Sequence, residues 1–189
     1  MTRSVCVNVG EIYDSYNHGQ FKVIEVVNSK DITIEFISTG HKRKTISTAI
    51  KSGKIKNPYF PSVYGVGYLG EGVPAQIDGK KLKEYVVWKD MIGRCYDEKI
   101  QARFPTYIGC TVCERWHNYQ NFYNDAKSLE GYDEWIKSDP LNKYQLDKDV
   151  KYTKNKIHSP NKIYSPETCM FITARENSVD ANSRRWNKQ

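Results

Sequence analysis

The apolar positions change period along the chain, and the change divides it into regions. Over residues 5–37 they fall in short clusters, VCVNV (5–9), FKVIEVV (21–27) and DITIEFI (31–37), the last alternating apolar with polar residues. Period-two alternation in β-branched and aromatic residues predicts strands. NHGQ (17–20) and NSKD (28–31) supply turn residues between the clusters. Three short strands joined by tight turns predict a small antiparallel sheet or SH3-like β-barrel over residues 1–58. TISTAIKSGKI (45–55) reads either as a strand or as a short helix ending at Gly53.

The pattern then breaks. Residues 57–80 carry five Gly and three Pro, which no helix or long strand survives. A Gly/Tyr-rich linker over 59–80, or an extended arm, is expected here. Its rings Tyr59, Phe60, Tyr64 and Tyr68 suit packing on the following domain better than a nucleic-acid groove. Next the period becomes helical. KLKEYVVWKDMIGRCYD (81–97) sets Tyr85, Trp88, Ile92 and Cys95 on one face, and ERWHNYQNFYNDAKSL (114–129) does the same with Trp116, Tyr119, Phe122, Tyr123 and Ala126. FPTYIGCTVC between them reads as a tight, partly extended connection. YQLDKDV (144–150) is a short strand, KYTKNKIHSPNK (151–162) a loop, SPETCMFIT (165–173) a turn and strand, and ARENSVDANSRR (174–185) begins as a helix. The fold class is α+β, ending in a ββα arrangement within an 81–189 domain.

Composition sharpens this picture. The 189 residues suffice for one ordinary domain or two small ones, and 13% aromatic content supplies core area although only 39% of the chain is hydrophobic. The net charge is +7, which favours a phosphate-bearing partner. Its distribution matters more: residues 1–60 hold nine basic and five acidic side chains, 61–149 hold 12 and 14, and 150–189 hold eight and three. Two segments are basic without any acid, 41–56 (Lys42, Arg43, Lys44, Lys51, Lys54, Lys56) and 151–162 (Lys151, Lys154, Lys156, Lys162), and Arg184 and Arg185 add to the second. These are the candidate DNA contacts, with Trp186 able to stack on a base or cover the last helix. Five cysteines are an odd number, and with no apolar leader they fit a reducing compartment. No apolar run approaches the roughly 18 residues of a membrane span, so a soluble intracellular protein without membrane contact is expected.

The wording of residues 82–180 carries a resemblance. VWKDMIGRCYD, TYIGCTVCERWHNYQNFYND, LDKD, NKIYSPETCMFI and EN are similar to segments that recur in phage-encoded HNH (His-Me finger, ββα-metal) homing-type endonucleases. TGHKRK, SGKIKNP and GVGYLGEG resemble the region that precedes the nuclease core in such proteins. The resemblance implies hydrolysis of phosphodiester bonds in double-stranded DNA with one Mg²⁺ or Mn²⁺ ion, in the cytoplasm of an infected bacterial host. It places the acidic metal ligand at Asp147 and the helix ligand at Asn177. Lys148 stands where the family has its general-base His, and Thr168 where many members have the Asn that orients that base. Two along from Asp147, Asp149 shares its face on a regular strand, so both carboxylates can hold one cation. Lys148 points to the opposite face, suited to an ion pair or phosphate contact. His158, in the loop, is the candidate replacement base. Cys110 and Cys113, with Cys95 and Cys169, are a candidate structural Zn²⁺ set, alongside the plainer reading of buried thiols. The departures at Lys148 and Thr168 leave two further readings: a DNA-binding module that has lost cleavage, and a phage protein that binds a host defence factor.

Overall fold

A computed structural model describes residues 6–138, 144–149 and 162–179. They form mixed α/β structure in two units, one taking Met1–Ser62 and Tyr68–Gly70, the other Val63–Gly67 and Glu71–Gln189.

In the first unit β1 (Ile12–Ser15), β2 (Gly19–Asn28), β3 (Asp31–Phe36) and β4 (Lys42–Thr45) make one antiparallel sheet in that order. The sheet is open: among the described residues no ladder joins β1 to β4, so it is not a closed barrel. β3 follows its sequence pattern, with Ile32, Ile34 and Phe36 buried and the residues between them half-exposed. The first strand does not fall on VCVNV. Asn8 donates through its backbone N–H and its side chain to the Glu11 carboxylate, at 3.0 and 2.9 Å, and Gly10 takes φ +94°. That turn sends Val7 into the core and moves the strand to Ile12. β4 was not foreseen, because its KRKT sequence has no apolar residue to pattern. It pairs with β3 in an antiparallel ladder, and a charged edge strand discourages further pairing.

TISTAIKSGKI resolves as helix α1 (Ser47–Ser52), closed by Gly53 at φ +64°, whose N–H donates to the Ile50 carbonyl. A Cβ there would stand 3.0 Å from the Asp14 carbonyl oxygen, so glycine is required twice over. Ile50 joins Phe21, Val23, Ile32, Ile34 and Phe36 in the unit's core.

The Gly/Tyr segment is laid on protein. Tyr59 meets His41 at 5.0 Å and Tyr68 at 6.1 Å within the first unit. In the second, the Tyr64 ring lies 2.9 Å from where a Gly93 Cβ would be, and the Trp88 indole 3.0 Å from where a Gly67 Cβ would be. β5 (Gln76–Ile77) and β6 (Lys80–Lys81) close a small hairpin after it.

The second unit is centred on α2 (Lys83–Tyr96) and α4 (Tyr119–Ala126). Trp88 and Tyr119 meet at 5.5 Å, and the Trp88 indole N–H donates to the Trp116 carbonyl at 2.7 Å. The single helix expected over 114–129 is broken. Glu114–His117 is a 3₁₀ turn, and the Asn118 side chain caps α4 by accepting from the Gln120 N–H at 2.9 Å. The apolar stripe runs through both pieces. α3 (Glu98–Arg103) is capped by Asp97, and α5 (Tyr132–Lys137) follows Gly131. β7 (Thr111–Val112) pairs in parallel with β9 (Ile163–Tyr164). β8 (Tyr144–Asp147) pairs antiparallel with β10 (Met170–Thr173), and residues 174–179 continue as helix α6. α5 and the turn before it hold this hairpin: Trp135 stacks on Phe171 at 4.3 Å, and the Phe171 N–H donates to the Glu130 carbonyl at 2.8 Å. No helix among the described residues is long and apolar enough to cross a membrane.

Candidate functional site

The β8–β10 hairpin fixes which residues share a face. Asp147 lies opposite Met170 and Gln145 opposite Ile172, while Leu146 lies opposite Phe171 on the other side. Leu146 and Phe171 are buried toward α5. Gln145 and Asp147 therefore present side chains together, about 6–7 Å apart along the strand. α6 follows β10 directly, and the Asn177 Nδ2 donates to Gln145 Oε1 at 2.8 Å. That bond places the helix Asn over the face that bears Asp147. It also orients the Asn177 amide, since the nitrogen is spent on Gln145 and the carbonyl oxygen is the remaining donor to a cation.

The strand stops at Asp147, and residues 148–149 bend. The alternation argument for Asp149 therefore does not apply. The Asp149 N–H donates to Asp147 Oδ1 at 2.8 Å, and its own carboxylate accepts from Lys148 Nζ at 2.6 Å. Lys148 is 8% exposed. Its ammonium lies 5.7 Å from the centre of the Tyr164 ring. Thr168 is buried and closes the SPET turn: its hydroxyl donates to the Ile163 carbonyl at 2.8 Å and accepts from the Ser165 N–H at 3.0 Å. It works on the turn that leads into β10. His158 lies outside the described residues.

A hard cation asks for oxygen donors, which Asp147 and Asn177 supply from one face. Asp149 supplies a carboxylate already engaged by Lys148. Among the described residues no three of His, Cys, Asp and Glu come together as a metal-holding group. The four candidate zinc cysteines divide accordingly. Burial pushes the Cys95 and Cys169 thiols up to about 12 and raises that of Cys110, with the Lys148 ammonium within electrostatic reach of all three. Cys113 has different neighbours: burial raises it, and Glu167, Asp125 and Arg115 act on it. The Lys148 ammonium thus acts on three of the four thiols, and Cys110 and Cys169 also act on Cys95.

The basic segment 41–56 is less one-sided in space than in sequence. β3 brings acids beside it: Lys44 pairs with Asp31 at 2.9 Å, and Lys42 lies opposite Glu35 in the ladder. Arg43 donates to the Lys56 carbonyl at 2.9 Å, and the Lys51 ammonium lies 5.1 Å from the centre of the Tyr13 ring. Lys42, Arg43, Lys51, Lys54 and Lys56 are exposed. In the second unit Lys162 donates to the Ile108 carbonyl at 3.0 Å. Lys151, Lys154, Lys156, Arg184, Arg185 and Trp186 lie outside the described residues.

No family model, curated protein or solved structure matches the chain. Two features of the site's geometry escaped the sequence: Gln145, and the partner that Lys148 takes. Gln145 has a signal only in retrospect: it stands two before Asp147 on a strand, the spacing that shares a face. The Lys148–Asp149 pair depends on where the strand ends, which no residue type between 144 and 150 marks.

Proposed function

We propose that the chain is a metal-dependent DNA endonuclease of the HNH type, acting on double-stranded DNA in the cytoplasm of an infected bacterial host. The observation that carries this reading is the approach of Asn177 to the Gln145–Asp147 face. An acid at the end of one strand and an amide on the helix after the next are the two ligands the resemblance asks for, and the ββα chain order is the one it implies. In this reading the 174–179 helix and the β8–β10 hairpin are the nuclease unit, and the open four-stranded sheet is an SH3-like DNA-binding module.

Asp147 and Asn177 would hold Mg²⁺ or Mn²⁺. When bound, the ion supplies charge neutralisation at the scissile phosphate and the leaving oxygen. Gln145 keeps the Asn177 carbonyl aimed at the shared face. Lys148 is hydrogen-bonded to a carboxylate, so it is not the base that takes a proton from water. His158 is the candidate for that role. Lys42, Arg43, Lys51, Lys54 and Lys56 supply phosphate contacts, which give affinity that falls with salt.

A second reading has a specific observation in its favour. Lys148 fills the position of the family's base and is locked in an ion pair, which suits a scaffold that binds DNA without cutting it. One pair of assays separates the two. Plasmid is incubated with the protein in Mg²⁺, Mn²⁺ or EDTA, and a gel shift is run at two salt concentrations. Nicking that needs metal and His158 supports the endonuclease; a salt-sensitive shift without nicking supports the binding module. Neither result would overturn both.

A further inference from the structure

We infer that Lys148 is a positioning residue that sets the carboxylate of Asp147 through Asp149, an inference that rests on the metal-site reading above. A lysine ammonium at 8% exposure is costly unless something holds it in place. Here two things do: the Asp149 carboxylate at 2.6 Å and the Tyr164 ring at 5.7 Å. Tyr164 is itself fixed, since β9 lies against β7 and the Cys113 N–H donates to the Tyr164 carbonyl at 2.9 Å. Lys148 therefore reaches inward to a rigid wall and pulls Asp149 back over the end of β8.

The consequence falls on Asp147. Drawing the Asp149 side chain toward Lys148 holds residues 148–149 in the bend, and the bend delivers the Asp149 N–H to Asp147 Oδ1 at 2.8 Å. One carboxylate oxygen of Asp147 is thereby fixed by a backbone donor, which sets the plane of the carboxylate and the direction in which its other oxygen meets a cation. Gln145 does the same for Asn177 from the other end of the strand, at 2.8 Å. Both proposed ligands are thus held by neighbours, the arrangement in which loss of one outer partner typically weakens metal binding by about 10–100-fold. The residue that replaces the family's base works by orientation, two bonds away from the ion.

The test uses the full chain and two measurements. Without metal, amide hydrogen exchange at Asp149 is compared between the wild type, Lys148→Met and Asp149→Asn. Both variants are expected to exchange about tenfold faster or more at Asp149, with β8 unchanged; an unchanged Asp149 rate in Lys148→Met overturns the inference. Asp149→Asn weakens the same link from its more exposed side, so the comparison stands if Lys148→Met does not fold. Second, Mn²⁺ affinity is read by electron paramagnetic resonance. Lys148→Met is expected to bind about tenfold more weakly, and adding it to Asp147→Ala to change nothing further. Faster exchange with unaltered Mn²⁺ affinity also overturns the inference. If the wild type binds no Mn²⁺, the metal-site reading fails, while the exchange rates still decide whether Lys148 holds Asp147.

Discussion

Individual side chains here are set by what surrounds them more than by their type. The cysteines illustrate it. Burial pushes Cys95 and Cys169 up to about 12, whereas Cys6 lies at the surface. A thiol reacts as its thiolate, so at pH 8 only the exposed cysteine should be alkylated quickly. Mass spectrometry after brief iodoacetamide treatment is expected to find Cys6 labelled and Cys95 and Cys169 untouched until denaturant is added. Rapid native labelling of Cys169 would mean that the β10 face opens. The same dependence on surroundings explains which site residues were legible. Asp147 and Asn177 are proposed from the wording of the chain. The bonds that hold them, from Asp149 and Gln145, require knowing that β8 ends at Asp147 and that α6 lies over it.

Elements were legible where the period had room to repeat. β3 alternates over six residues and α2 holds its stripe over 14, and both were read. α3 and α5 span six residues each, too short for a stripe, and the two-residue β7–β9 pair joins positions 111 and 163, which no local pattern connects. Tertiary contacts settle such elements, and Gly131 is one. It takes φ +80° and leads into α5, and a Cβ there would lie 2.1 Å from the Phe171 carbonyl oxygen. Gly131→Ala should cost about 2–4 kcal/mol in urea unfolding through backbone strain and overpacking. It should also loosen β10, which carries the face opposite Gln145 and Asp147. A second contact gives a pH signature. Arg115 donates to both oxygens of Asp125, at 2.7 and 2.9 Å, and the Trp116 indole adds a third bond at 2.9 Å. The Arg115 hydrogen bonds hold the Asp125 carboxyl below its ordinary range, against the opposing effect of burial. A depressed folded value means that the stabilisation is present above the unfolded value near 3.9 and is lost as pH falls through the folded one. Asp125→Asn should therefore cost about 1 kcal/mol at pH 7, screened on the exposed Arg115 side, and less at pH 2. A deficit that did not shrink on acidification would assign the effect to packing.

At the scale of the molecule, two units divide the proposed work. The first brings a cationic edge whose strength the sequence overstates, because Asp31 and Glu35 approach from the neighbouring strand. The second brings the Asn177 amide onto Gln145, beside the acid proposed to hold the ion with it. Neither unit's role follows from net charge, which is shared between both ends of the chain. If Asp147 and Asn177 act together on DNA through a divalent ion, single-turnover nicking of supercoiled plasmid in Mn²⁺ depends on both. Cleavage should be abolished by EDTA and fall by at least about 100-fold in Asp147→Ala and in Asn177→Ala, with both variants retaining the wild-type unfolding midpoint. Cleavage at the wild-type rate in Asp147→Ala, or cleavage indifferent to EDTA, would contradict that joint action.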